Sequence, residues 1–508
     1  MKALAIPLVL AVACASTGPR PAKQAPAKPQ PAAAAAAQPQ GTPDAPFRAQ
    51  APPPGAPIEF HAPIPAEHAL ANGLRVFLIE RHDVPLVAVS LAVQSGEDTD
   101  PPGKAGLSSL ALDLLDEGTP SRDAAAIARG FEDLGARYAT EADADSSRLS
   151  VTALSDALDP ALEIFADVAL RPAFRSADVE RVRVERLGQI AQALDDPQSV
   201  GQHVLSRVIF GEKHPWGYPG EGTVTSVKSI ARKDLVAWQK AWFRPSNAAL
   251  FVVGDTDAAT LLPLLEKRFG SWKDGPAPRS ARYERAKSGA RVVTLVDKPE
   301  APQSQIWIGE VGVASTAPDV FPVRVMNNIL GGSFNSRLNG NLRTEHAYSY
   351  GVFSFYDTHR EAGPFVAAGG VVSDKTADAL GEFMKELTRM KSGEVSDVEL
   401  ADAKESLIRA IPALFASNER TAGAYARAWV HGLPIDYYAT YQDRVRAVGK
   451  EDVAKAARER LHPDQMAIVV VGPAKQIEAR LESLKLGRVE LRDAQGEARK
   501  AASAAARP

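Results

Sequence analysis

At 508 residues, with 45% apolar and 24% charged residues, the chain has the composition of a folded protein of about two to four domains. A formal net charge of -3 excludes the basic surplus on which nucleic-acid binding depends. A single cysteine excludes an intrachain disulfide framework and any multi-cysteine metal cluster.

The chain opens with Lys2, the apolar run Ala3 to Ala13 and then Cys14, the layout of a short secretory signal over residues 1–13. Leu10-Ala11-Val12-Ala13-Cys14 resembles a bacterial lipoprotein processing site, which makes Cys14 the expected lipidation site and a lipid anchor the expected link to a membrane. Plain secretory cleavage near Ala13 or Ala15 is the other reading. Either way the protein is expected to be exported, as a periplasmic or outer-membrane lipoprotein or as a soluble periplasmic chain. Residues 14–57 are mostly Ala, Pro and Gln and cannot bury enough surface to offset the entropy of ordering, so they read as a disordered, semi-extended tether.

From Ile58 onward the chain repeats itself at a shift of 218 residues: Pro245 falls on Pro463 (245 + 218), and Ala249 to Gly254 falls on Ala467 to Gly472. The same shift carries the candidate strand Leu86 to Val93 onto Ser304 to Val311. Two copies this long indicate duplicated domains rather than a solenoid. The turn-rich stretch from Gly275 to Ala290 marks their boundary. Each copy mixes period-2 strands, such as Leu74 to Ile79, with amphipathic helices, such as Asp178 to Ala193. The expected fold class is α+β, two domains each with a mostly antiparallel sheet packed against helices. Residues 491–508 read as a disordered tail.

In the first copy, Gly106 to Thr119 contains the frame Ser109-Leu110-Ala111-Leu112-Asp113 followed by Gly118-Thr119. It resembles the helix on which the insulinase/pitrilysin peptidase family carries its inverted zinc motif, H-x-x-E-H. Ser109 occupies the first His position, Leu112 the catalytic Glu and Asp113 the second His. Such a site needs two imidazoles to hold the ion, a carboxylate as general base and a third protein ligand; leucine cannot take a proton, and serine is a poor zinc ligand. The third ligand, a Glu in the family, is expected within Leu187 to Gln189, none of them acidic, with Glu185 reachable by a short gap. The nine histidines include no pair three or four residues apart, so no other helical His pair exists. His214, in the Pro/Gly-rich turn His214 to Pro219, reads as part of a packed loop and takes no role.

In the second copy, Ile329-Leu330-Gly331-Gly332 leads through Leu342-Arg343 to Tyr350. This resembles the family's Gly-Gly helix start followed by an Arg and, seven residues later, a Tyr, which reach across the chamber to the substrate. An Arg fork and a phenol can both donate to a carbonyl oxygen as it gains negative charge. The alternative is that Arg343 pairs with a carboxylate such as Glu345 while Tyr350 packs at the start of a strand.

The resemblance implies a peptidase-like domain over residues 58–280 with a degenerate zinc motif and a second over 281–490 with the Arg/Tyr motif. It also implies no metal held by this chain, with zinc expected in a partner. Some bacterial members of the family divide the work between a zinc-bearing chain and an Arg/Tyr-bearing chain, and this one resembles the second. The function so implied is that of a non-catalytic subunit in a heteromeric zinc metalloendopeptidase, inactive alone, lending Arg343 and Tyr350 to a peptide substrate that adds as a strand to a sheet edge. The competing reading is a peptide-binding or scaffold protein with no part in proteolysis.

Overall fold

The computed structural model describes residues 59–276 and 291–498. The signal segment, Cys14, the tether and most of the boundary stretch lie outside the described residues. The first half builds β1 (Ala66–Ala69), β2 (Arg75–Glu80), β3 (Leu86–Val93), β4 (Arg137–Ala142), β5 (Ser147–Leu154) and β6 (Ala248–Gly254) into one sheet of order β1-β2-β6-β3-β5-β4. The second half builds β7 (Val292–Asp297), β8 (Gln303–Val311), β9 (Val352–Tyr356), β10 (Pro364–Val372), β11 (Ala467–Gly472) and β12 (Arg488–Arg492) into the order β12-β7-β11-β8-β10-β9. The duplication is therefore one of fold as well as sequence: β3, β5 and β6 correspond to β8, β10 and β11 at the same shift.

Both sheets are mostly antiparallel, but the strand entering each centre from the chain's far end runs parallel to its neighbour, β2 to β6 and β7 to β11. Long helical crossovers make that pairing possible. β12 also pairs parallel to β7. Leu491 and Arg492 thus belong to a sheet, and Glu497 reaches Arg207 at 2.6 Å; the expected disordered tail does not begin at 491. A single charged turn at residues 493–496 hid a strand whose alternation, Arg-Val-Glu-Leu-Arg, is short and polar at both ends.

The central strands are apolar on both faces, and the alternation decides which core each residue joins. Val87, Val89, Leu91 and Val93 of β3 enter the first half's own core. Ala92, with Phe251 and Val253 of β6, faces a core made largely by the second half. The covering element there is the helix Asn418–Val430, which packs on β3 and β6. Its counterpart in the first half, the helix Pro197–Phe210, packs on β8 and β11. The two halves thus exchange helices.

Asp196 starts the second of these, its carboxylate accepting the Ser199 N–H at 2.8 Å with Pro197 at the first turn, as helix starts favour. Val200, Val204, Leu205 and Ile209 are buried against Trp307, Val469 and Val471 of the other sheet, each burial contributing about 1.5–3 kcal/mol. Gly201 permits the close approach: a Cβ there would stand 2.3 Å from the Trp307 ring. Gly201→Ala is expected to destabilise the protein by about 1–3 kcal/mol through overpacking, more than the roughly 1 kcal/mol of helix propensity it gains. A urea denaturation midpoint at or above the parent's contradicts this packing.

Candidate functional site

The motif helix, Leu107–Asp113, begins at Gly106, whose φ of 86° lets the chain turn sharply into it. No side chain at the helix start caps it; the carboxylate of Asp100 does so from the preceding loop, accepting N–H groups of Gly106 at 2.7 Å, Leu107 at 3.1 Å and Ser108 at 2.8 Å. Those three donors are groups that a helix start leaves without partners. This fixes which side chains face outward. Leu110 and Leu112 are buried in the first half's core, whereas Ser109 lines a cavity of about 870 Å³.

Opposite the motif helix runs Ser176–Asp195, and the side chain that meets Ser109 and Asp113 comes from Arg186. Its guanidinium donates to Ser109 Oγ at 2.9 Å and to the Glu221 carbonyl at 3.1 Å, and forms a close ion pair with the Asp113 carboxylate. Ser109 Oγ in turn donates to the Gly220 carbonyl at 2.7 Å. Arg186 is buried at 6% exposure. Glu185, the short-gap option for a third ligand, instead pairs with Arg181 on the outer surface at 2.9 Å.

The residues present do not fit a zinc ion in this frame. A positive group from the protein already bridges the first and second ligand positions, and it comes from the helix expected to supply the third. Leu112 points into the core rather than toward that place. Arg186 was the residue that spacing missed by one position. Its signal is nevertheless in the sequence, a cationic side chain on the ligand helix together with an acidic one at a ligand position.

The cavity runs from Ser109, Arg186 and Glu221 in the first half to His359, Arg427 and His431 in the second. Glu97 also lines it, and burial together with Asp100 and Asp143 pushes its carboxyl up to about 8, so at neutral pH it carries a proton it can donate. His214 accepts the Trp216 N–H at 3.1 Å, a contact within its own turn.

Arg343 and Tyr350 do not join this cavity. Arg343 lies in a wide π-helical turn, Gly340–Glu345, with its guanidinium 4.3 Å from the centroid of Phe334 and 5.1 Å from that of Tyr350. Both rings are open to solvent, Tyr350 at 87% and Phe334 at 69% exposure. Of the neighbouring tyrosines, Tyr348 stacks on His346 with ring centroids 5.0 Å apart and Tyr356 packs tilted against Phe365 at 4.7 Å. Tyr350 neither packs at a strand start nor leaves Arg343 to Glu345; among the described residues no Arg343–Glu345 ion pair occurs.

A buried ion pair lies on the same stretch of chain. Arg337, 9% exposed, donates to both carboxylate oxygens of Glu399, at 2.7 and 3.1 Å, and to the Glu394 carbonyl at 2.6 Å. Burial raises the Glu399 carboxyl, but Arg337 and the Ser396 cap outweigh it and hold it at about 2. A folded value below the ordinary one of 4.5 gives stability that is present above pH 4.5 and lost as pH falls toward 2. Glu399→Gln is therefore expected to cost more stability at pH 7 than at pH 3, read from urea unfolding at the two pH values; an equal loss at both contradicts the pairing.

Two six-stranded sheets related by duplication, exchanging helices around a shared cavity with a zinc-motif frame in its wall, define a peptidase-type shell. Comparison with known proteins agrees. Residues 75–215 match the family described as insulinase (peptidase family M16) and residues 229–407 its companion, the peptidase M16 inactive domain; the chain belongs to the insulinase, or M16, family. An uncharacterized zinc protease of Bacillus subtilis is 23% identical over 407 residues, covering 79% of this chain and 97% of the relative. An uncharacterized zinc protease of Mycobacterium tuberculosis is 26% identical over 345 residues, covering 68% and 78%. The crystal structure of a peptidase M16 inactive domain from Pseudomonas fluorescens superposes with a TM-score of 0.75 at 25% identity, covering 80% of this chain and 98% of that one. A chain of complex III2 from Candida albicans shares the fold, with a TM-score of 0.68 at 16% identity and coverage of 82% and 99%. Among the described residues no helix is long and apolar enough to cross a membrane.

Proposed function

We propose that this protein is the non-catalytic subunit of a heteromeric zinc endopeptidase, binding peptide and lending Arg343 and Tyr350 to a partner chain that carries the metal. The observation that carries the proposal is Arg186. Its guanidinium bridges Ser109 and Asp113 where a metallopeptidase of this family needs a cation with open coordination positions. A guanidinium offers no Lewis-acidic position and activates no water. The exposed Phe334–Arg343–Tyr350 stack supports the second half of the reading. It stands outside the chain's own cavity, free to meet a substrate held by another molecule, and its rings keep the guanidinium oriented by cation–π attraction.

Export through the signal segment and anchoring through Cys14 belong to the same proposal, placing the pair outside the inner membrane. Co-expression with a homologue bearing H-x-x-E-H tests it: the two chains are expected to co-purify as a heterodimer in which one equivalent of zinc depends on the homologue's two motif histidines. Failure to associate favours the scaffold reading instead.

A further inference from the structure

On the far wall of the cavity three metal-competent side chains meet. Asp145, from the turn between β4 and β5, places Oδ2 3.4 Å from Nδ1 of His359, in the loop after β9, and 3.7 Å from Nε2 of His431, which closes the helix Asn418–Val430. All three donor atoms lie within 4.8 Å of one another. The cluster spans the junction, since Asp145 belongs to the first half and the two histidines to the second.

Two further features separate this cluster from an incidental ion pair. Each histidine has its remote nitrogen anchored: His359 Nε2 lies 3.2 Å from the Asp357 carboxylate, and His431 Nδ1 lies 3.0 Å from Ser315 Oγ. Protein metal sites use that arrangement to set the tautomer and aim of a ligand imidazole. Asp145 Oδ2 is held in turn by the Arg360 N–H at 2.7 Å. His359 Nδ1, in a residue 9% exposed, makes no well-formed hydrogen bond and meets Asp145 Oδ2 at 3.4 Å.

We propose that Asp145, His359 and His431 form a site for a zinc-class divalent cation that ties the two halves together, separate from the degenerate motif frame. Two imidazoles and a carboxylate are donors that zinc accepts, with bonds of about 2.0–2.2 Å that set tetrahedral donors about 3.4 Å apart. The two Asp145 separations already match that spacing closely, and small ring rotations close the third. Asp145 is a buried acid at 1% exposure, whereas Asp357 is half-exposed, and the Arg360 guanidinium lies between Asp145, at 3.7 Å, and Asp98, at 2.6 Å. Metal uptake needs both imidazoles neutral and so strengthens as pH rises, with Asp357, Arg360, Arg427, Asp143 and Glu97 as the other ionisable groups around the cluster. This inference does not rest on the partner-subunit reading. The expectation of a metal-free chain was built on helical spacing, which a site assembled across two domains escapes.

The test is calorimetric titration of the full chain, stripped with a chelator, with Zn²⁺, repeated with Co²⁺ to read the ligand-field spectrum. One equivalent is expected, abolished by Asp145→Asn and by His359→Gln and weakened about 10–100-fold by Asp357→Asn, while Asp113→Asn and His462→Gln leave it intact. Circular dichroism and thermal melts of the metal-free variants establish folding, and His431→Gln replaces any variant that fails it. No uptake by the parent chain overturns the proposal, as does uptake unchanged in Asp145→Asn and His359→Gln. Uptake abolished by Asp113→Asn also overturns it, and in addition sinks the reading of the motif frame as unable to hold zinc.

Discussion

Ser109→His with Asp113→His is expected to add no zinc to the protein while Arg186 stands, whereas the same pair combined with Arg186→Glu adds one equivalent over the parent chain. The contrast follows from charge. A unit positive charge about 4 Å from another costs roughly 4 kcal/mol at an effective dielectric of about 20, hence roughly 8 kcal/mol against a dication, a figure on the order of a micromolar binding free energy. In the double variant Arg186, buried at 6% exposure, still has the Glu221 carbonyl as a partner, so its charge stays in the ion's place. Replacing it by Glu removes the opposing charge and supplies the third ligand type the family uses. Metal analysis after dialysis distinguishes the two variants. Zinc taken up by the double variant with Arg186 intact contradicts the assignment of Arg186 to the cation's place.

Arg343→Ala is expected to leave the stability of this chain unchanged to within about 0.5 kcal/mol, as for a surface residue, while lowering kcat of the reconstituted pair by about 10²- to 10³-fold, the usual loss for one donor to a developing oxyanion. The stability half follows from position: the guanidinium lies over two rings that are themselves exposed. The kinetic half follows from the proposed role, because a donor that acts on the transition state changes kcat more than KM. Thermal melts and steady-state kinetics on the same preparation separate the two. A fall in stability with unchanged kcat would make Arg343 a packing residue.

The legible part of the fold was the part written in local apolar pattern. β3 and β8 lie where alternation and the 218-residue shift placed them, and the closing glycines Gly254 and Gly472 end β6 and β11 as expected. What escaped was non-local. Nothing in the run Pro197 to Phe210 says that its apolar face covers the other half's sheet, because one amphipathic stripe suits either partner; only Gly201 under Trp307 hints at an unusually close neighbour.

The site divides in the same way. Ser109, Leu112 and Asp113 were placed by a motif frame, and the structure adds that Leu112 turns into the core while the other two share Arg186. Arg343 and Tyr350 were placed by their spacing, and the structure adds Phe334 as the second ring of the stack. Asp145, His359 and His431 stand 214 and 72 residues apart (359 − 145 and 431 − 359), and no periodicity connects them. Only the docking of the two halves brings them within reach of one another.

The most direct measurement is peptide hydrolysis by the purified chain alone and by the chain mixed with its zinc-bearing homologue, with Tyr350→Phe as the third sample. The account predicts no hydrolysis by the isolated chain, hydrolysis by the mixture and a sharp loss with Tyr350→Phe. Hydrolysis by the isolated chain, or a mixture indifferent to Tyr350→Phe, would contradict it.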